Sequence, residues 1–298
     1  MSTPPPTRGP PAIEVRKLSK RYRGGVLAND EISLSIPRSA VFGVLGPNGA
    51  GKTTLVRQIT GELVPTAGAI RVHDIDILER PLAAKSLMGV VPQEATPYQH
   101  LKPHEHLVFF GRLHGMSRSQ ARGRADELMA ALGLEEHAGV TAVRLSGGLK
   151  RKLLVGSALM AEPSLLVLDE PTTGLDPHSR REVWALLESL RGRGTTILIT
   201  THYMDEAEML CDQVAVIGAG RILAMGTVEE LRGLCRRRYK ATFENGAGQR
   251  QTVYGSAYDE VVDELARLDI HEYTIGKTTL EDLYLELTSQ TLEESQYA

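Results

Sequence analysis

Five apolar residues, Val41-Phe42-Gly43-Val44-Leu45, run directly into Gly46-Pro47-Asn48-Gly49-Ala50-Gly51-Lys52-Thr53. A helix-compatible segment begins at Lys52. No other feature narrows the fold as much. A continuous apolar run of this length reads as a strand buried on both faces. A strand, a glycine-rich turn and a helix are the setting that the pattern G-x-x-x-x-G-K-[ST] requires. Glycines let the backbone wrap closely around phosphates with several N–H groups pointing inward. The helix start adds a positive dipole end. Lys52 supplies a mobile charge toward the outer phosphates, and the Thr53 hydroxyl can ligate Mg²⁺. The turn points to nucleotide binding.

Two further apolar runs, Leu165–Leu168 and Thr196–Thr200, each lead into a polar turn. Apolar runs separated by helices predict a parallel, doubly wound α/β sheet. The first of these ends in Asp169-Glu170. Alone, that is a pair of solvated strand-end acids. Beside a phosphate loop, Asp169 is placed to hold Mg²⁺ and Glu170 to orient or deprotonate an attacking water. A second loop, Leu145-Ser146-Gly147-Gly148-Leu149, reads as a capped helix start followed by Lys150, Arg151 and Lys152. Cations there oppose the helix dipole, and an anion bound at that helix start would account for them. One chain then offers two cradles, although a nucleotide has one triphosphate. A composite site, one cradle from each of two subunits, resolves this.

The rest of the chain sets the frame. The 298 residues include 42% hydrophobic and 24% charged residues, which provides for a full globular core. A net charge of −3 argues against a nucleic-acid partner. No apolar run approaches the roughly 20 residues that span a bilayer as a helix. The first 12 residues, rich in proline, lack the apolar stretch of a secretory signal and read as a disordered leader. Cys211 and Cys235 read as reduced thiols. Residues 97–161 look helical. Leu107, Phe110 and Leu113 suggest one apolar stripe, interrupted by Gly111, and Ser117 can cap a second helix. After a short helix at Val228–Leu234, residues 236–298 read as a small α+β domain. It holds strands at Lys240–Phe243, Gln251–Tyr254 and Glu272–Ile275, helices at Tyr258–Leu268 and Leu280–Leu287, and a frayed tail. Arg236-Arg237-Arg238 reads as a solvated face; contact with anionic lipid headgroups or a partner loop is the alternative. Of the nine histidines, the eight other than His202 show no metal constellation.

Taken in order, these motifs resemble the ATP-binding cassette (ABC) family over residues 13–235. Gly46–Thr53, with Thr54 following, is similar to that family's Walker A loop, Leu145–Leu149 to its signature loop, and Leu165–Glu170 to Walker B. Gln93 in Val90-Val91-Pro92-Gln93 matches the glutamine loop. Asp176 in Thr173-Gly174-Leu175-Asp176-Pro177 matches the D-loop, and His202 in Thr200-Thr201-His202-Tyr203 the switch histidine. Tyr22 sits where the family stacks an aromatic on adenine. Leu149 replaces the signature's usual glutamine. The run Leu149-Lys150-Arg151-Lys152, the stretch Thr201–Ala207 and the tail Thr279–Leu287 look like the ABC-2 type exporters, the daunorubicin-resistance branch.

The resemblance implies an α/β fold: a P-loop NTPase ABC core (13–235) with an antiparallel β subdomain, a helical insertion (about 97–161) and a small α+β C-terminal domain. It implies an ATPase that binds ATP and Mg²⁺, with Thr53, Gln93 and Asp169 at the metal and Glu170 and His202 at the reacting phosphate. The implied partners are a second copy, or a paralogous ATPase, and a separate transmembrane permease, on the cytoplasmic face of the membrane and without nucleic acid. The alternatives are an importer ATPase, a soluble cassette ATPase, which would carry two fused cassettes or a coiled insertion, and a regulatory module, which would lack Glu170 or His202.

Overall fold

Strand β1 (Ile13–Arg21) pairs antiparallel with β2 (Leu27–Ile36), and the buried strand β3 (Val41–Leu45) follows. The phosphate loop leads into α1 (Lys52–Ile59). Next come β4 (Ala67–Val72), β5 (Ile75–Asp76), α2 (Pro81–Lys85) and β6 (Met88–Val91). Helices α3 (Pro103–Leu113), α4 (Arg118–Ala131) and α5 (Gly147–Leu159) fall within the interval read as helical. The chain then alternates: β7 (Leu165–Asp169), α6 (Pro177–Arg191), β8 (Thr196–Thr201), α7 (Met204–Leu210), β9 (Gln213–Gly218) and β10 (Arg221–Gly226). Helix α8 (Val228–Leu234), β11 (Tyr239–Glu244), β12 (Arg250–Gly255), α9 (Tyr258–Arg267), β13 (Thr274–Lys277) and α10 (Leu280–Gln296) complete it. The structure, a computed structural model, describes residues 10–245 and 248–296.

Two sheets build the larger part. One has the order β2-β1-β4-β5, the other β10-β9-β3-β8-β7-β6. In the second, β9, β3, β8, β7 and β6 are mutually parallel. Every residue of β3, β7 and β8 is buried, as strands covered on both faces should be. Ile13, Leu34, Phe42, Leu55, Val167 and Leu198 belong to one shared core.

The chain divides into two units between Ile222 and Leu223, whereas the sequence reading put the boundary after residue 235. The second unit begins within β10, and α8 belongs to it because it packs on α10. That unit has its own small core of Ala241, Phe243, Val261 and Leu265 on the sheet β12-β11-β13.

Several sequence expectations need correction. The stripe Leu107/Phe110/Leu113 does not form one buried face, because Leu107 is buried but Leu113 is 64% exposed. Gly111 does not interrupt α3; it is buried there, and a Cβ on it would lie 3.0 Å from the Ala121 Cβ of α4. The glycine lets the two helices approach. Strand β13 lies two residues later than expected, and α10 runs on to Gln296 instead of fraying. Of the expected leader, residues 1–9 lie outside the described residues. Residues 10–12 are ordered: Ala12 is buried and its N–H bonds the Ile36 carbonyl.

Candidate active site

The register of the parallel sheet places the strand ends together. Leu45 of β3 is opposite Thr201 of β8, and Asp169 of β7 is opposite Thr200. On the other side of β7, Val91 of β6 is opposite Leu168. The phosphate loop, Asp169-Glu170, His202 and Gln93 thus leave the sheet from one edge. In an open α/β sheet, ligands bind outside the carboxyl ends of the strands.

The loop is shaped by backbone geometry. Gly51 has φ +102°, and a Cβ there would sit 2.3 Å from the Ala28 carbonyl oxygen. No side chain fits. Asn29, fully buried on β2, donates from Nδ2 to the Gly51 carbonyl at 3.1 Å. Lys52 points back into the loop. Its Nζ donates to the carbonyls of Gly46 (2.8 Å) and Pro47 (3.0 Å) and lies 3.1 Å from Glu170 Oε1.

Glu170 is the centre of the cluster. It has φ +47°, a strained conformation for a non-glycine residue. Its Oε2 accepts from Gln93 Nε2 (3.1 Å) and Thr173 Oγ1 (3.0 Å), and lies 3.1 Å from His202 Nδ1. Burial pushes its pKa up, but Lys52, Thr173 and His202 outweigh that and hold it below the usual glutamate value. A carboxylate so placed stays ionised, as a proton acceptor must. Asp169 is buried and accepts a hydrogen bond from Thr200 Oγ1, while the Glu170 N–H donates to the same hydroxyl at 3.0 Å.

Thr53, Gln93 and Asp169 line one cavity of about 300 Å³. A hydroxyl, an amide oxygen and a carboxylate are hard oxygen donors, which suits Mg²⁺ completed by phosphate oxygens and water. Tyr22, just past β1, is 39% exposed, and its hydroxyl is 3.4 Å from Thr54 Oγ1. Its ring therefore stands beside the start of α1.

Two predicted elements stand apart from this cluster. Ser146 caps α5 by accepting from the Leu149 N–H (3.3 Å); Ser146 and Gly147 are exposed, and Gly148 is buried. Asp176 caps α6, accepting at 3.0 Å from the N–H groups of both His178 and Ser179. The cations after Gly148 also need correction. Arg151 is buried among backbone carbonyls, and Lys152 pairs with Glu182 at 3.4 Å, so neither requires an external anion.

Sequence reasoning gave no role to Asn29, Thr173, Thr200 or Glu206, and it turned Arg151 toward an external anion instead of toward the loops after β6 and β7. Glu206 is fully buried and takes hydrogen bonds from Thr172 Oγ1 (2.8 Å) and Trp184 Nε1 (2.9 Å). Burial pushes its pKa up, against the opposing pull of those bonds. Its one available signal was its place four residues after His202, on the following helix.

The family model for ABC transporters matches residues 29–173. A daunorubicin resistance ATP-binding protein of Streptomyces coeruleorubidus is 45% identical over 74% of this chain and 70% of its own length. The chain belongs to the ATP-binding subunits of ABC transporters. A Nod factor export ATP-binding protein of Bradyrhizobium diazoefficiens is 38% identical over 95% of this chain and 98% of its own. An ATP-binding subunit of an ABC transporter superposes with TM-score 0.69 at 25% identity, over 93% of this chain and 99% of that one. As an ABC ATPase of the exporter branch, the chain binds and hydrolyses ATP. Among the described residues, no helix is long and apolar enough to cross a membrane.

Proposed function

We propose that this ABC ATPase works as a pair, with each ATP held between the phosphate loop of one copy and the Ser146–Gly148 turn of the other. A paralogous ATPase could fill the second place. The pair drives a separate transmembrane permease and is held by it at the cytoplasmic face, exporting a drug, lipid or glycan. The relatives named above, a resistance protein and an export protein, support that direction.

Within each site the residues divide the work. The backbone N–H groups of residues 46–54 and the Lys52 ammonium hold the phosphates, and the Tyr22 ring stacks on the base. Thr53, Asp169 and Gln93 hold Mg²⁺, which when bound neutralises charge on the phosphate oxygens. The Glu170 carboxylate orients a water in line with the terminal phosphorus and takes its proton. The water oxygen bonds to phosphorus as the bond to the bridging oxygen breaks, which leaves ADP and phosphate. His202, bonded to Glu170, fixes the carboxylate and faces the same phosphate. Asp176, at the start of α6, shapes the turn that meets the other copy. Loss of the terminal phosphate removes the link between the copies and lets them part.

The observation that carries this reading is the Glu170 carboxylate. It is 4% exposed yet ionised, and it touches Lys52, Gln93 and His202 at once. Glu170→Gln in the full chain tests it. Turnover is expected to fall by about a hundredfold or more, with ATP still bound and a dimer accumulating in light scattering. Turnover at the wild-type rate would remove Glu170 as the base.

A further inference from the structure

Arg151 lies in the first turns of α5 and is 8% exposed. Its Nη1 donates to the Pro92 carbonyl at 3.4 Å. Its Nη2 donates to the carbonyls of Gln93 at 3.4 Å and Glu170 at 3.5 Å. These three acceptors belong to two separate loops, one after β6 and one after β7. A guanidinium presents its donors in a fixed planar fork and can address several acceptors together, whereas an ammonium is a point charge. Burial pulls the Arg151 pKa down, and the Glu206 and Asp169 carboxylates pull it back up. The cation is thus set among carbonyl dipoles with two acids nearby. Its acceptors include the carbonyl of the very residue whose backbone is strained at φ +47°.

We propose that Arg151 is a positioning residue for hydrolysis, tying the Ser146–Gly148 end of α5 to Gln93 and Glu170 of the same chain. This rests on the paired reading above, in which Ser146–Gly148 serves the other copy's nucleotide. Any shift of α5 on meeting that nucleotide then moves the two loops that set the carboxylate. The link runs from one site of the pair to the other through a single side chain. Lys52 and the phosphate loop make their contacts independently of Arg151, so binding and turnover should separate.

The test uses Arg151→Met and Arg151→Lys in the full chain, beside wild type and Glu170→Gln. The measurements are affinity for a fluorescent ATP analogue, kcat and KM for ATP, and melting temperature. For Arg151→Met, kcat is expected to fall about tenfold or more, with KM and analogue affinity within about twofold of wild type. Arg151→Lys should fall between the two, since it restores the charge but reaches fewer carbonyls. Wild-type kcat in Arg151→Met overturns the proposal. So does an equal loss of kcat and affinity, the signature of a merely structural residue. Where Arg151→Met does not fold, Arg151→Lys decides: a lower kcat at unchanged KM supports the link, and a wild-type kcat overturns it. Failure of the paired reading shows separately, as Glu170→Gln that never dimerises with ATP.

Discussion

At the scale of single residues, the chain relies on buried polar groups whose charge state is set by their neighbours. Glu170 is buried but held ionised by Lys52, Thr173 and His202. His106 shows the opposite case. It lies on α3, fully buried against α5, with Nδ1 3.0 Å from Ser157 Oγ and the Phe110 ring 4.9 Å away. Burial lowers its pKa from 6.5 to about 4. A depressed histidine pKa means that the folded state prefers the neutral ring. The stability this gives is complete above pH 6.5 and is lost as the pH falls toward 4, because the unfolded chain takes up the proton first. At about 1.4 kcal/mol per pH unit, the loss reaches about 2 kcal/mol by pH 5. Melting temperature measured from pH 7 to 5 should therefore fall in the wild type. His106→Gln, neutral throughout, should show a flatter profile. Parallel profiles for the two proteins would mean that His106 is not the group responsible.

At the scale of elements, small residues decide which helices can meet. Gly111 lies in the last turn of α3, where glycine weakens a helix by up to about 1 kcal/mol relative to alanine. Its compensation is the close approach of α4: a Cβ would stand 3.0 Å from Ala121 Cβ and 2.6 Å from the flexible end of Met160. Gly111→Val should gain a little helix propensity and lose more through overpacking, typically about 1–3 kcal/mol. Thermal melting reads the balance. A raised melting temperature would show that the α3–α4 contact yields easily and that propensity dominates. The same element-scale logic explains α5. Its start is capped by Ser146; Arg151 is turned inward to Pro92, Gln93 and Glu170, and Lys152 is paired with Glu182. Two of the three cations at that helix start thus find their partners inside the chain.

At the scale of the whole molecule, the proposed work needs two copies, so it should fail at a residue remote from the phosphate loop. Ser146→Arg places a long cation at the exposed start of α5. Loss of the cap costs about 1 kcal/mol, which a core of this extent tolerates. ATP binding should persist, because the groups that form the phosphate loop lie elsewhere. Dimerisation with ATP should be lost. Equilibrium binding together with light scattering checks both halves of that expectation. A variant that still dimerises with ATP would remove Ser146–Gly148 from the interface between copies.

Much of this was legible from short-range spacing. The phosphate loop, the acids ending β7, the cap at Ser146 and the buried strands are local patterns, because strand burial and helix capping depend on residues a few positions apart. Glu170 was found this way, and Gln93 and His202 through the resemblance to the ABC family, yet their mutual contact was not. Gln93 and Glu170 are 77 residues apart in the chain. They meet only because β6 and β8 flank β7 with their ends in register. Arg151 read as one of three cations calling for an external anion, and Glu206 carried no role of its own. Burial and hydrogen-bond partners are properties of neighbours brought in by the folded chain. Sequence alone therefore named the chemistry and its main residues, while the tertiary structure decided which of them share a proton, a charge or a carbonyl.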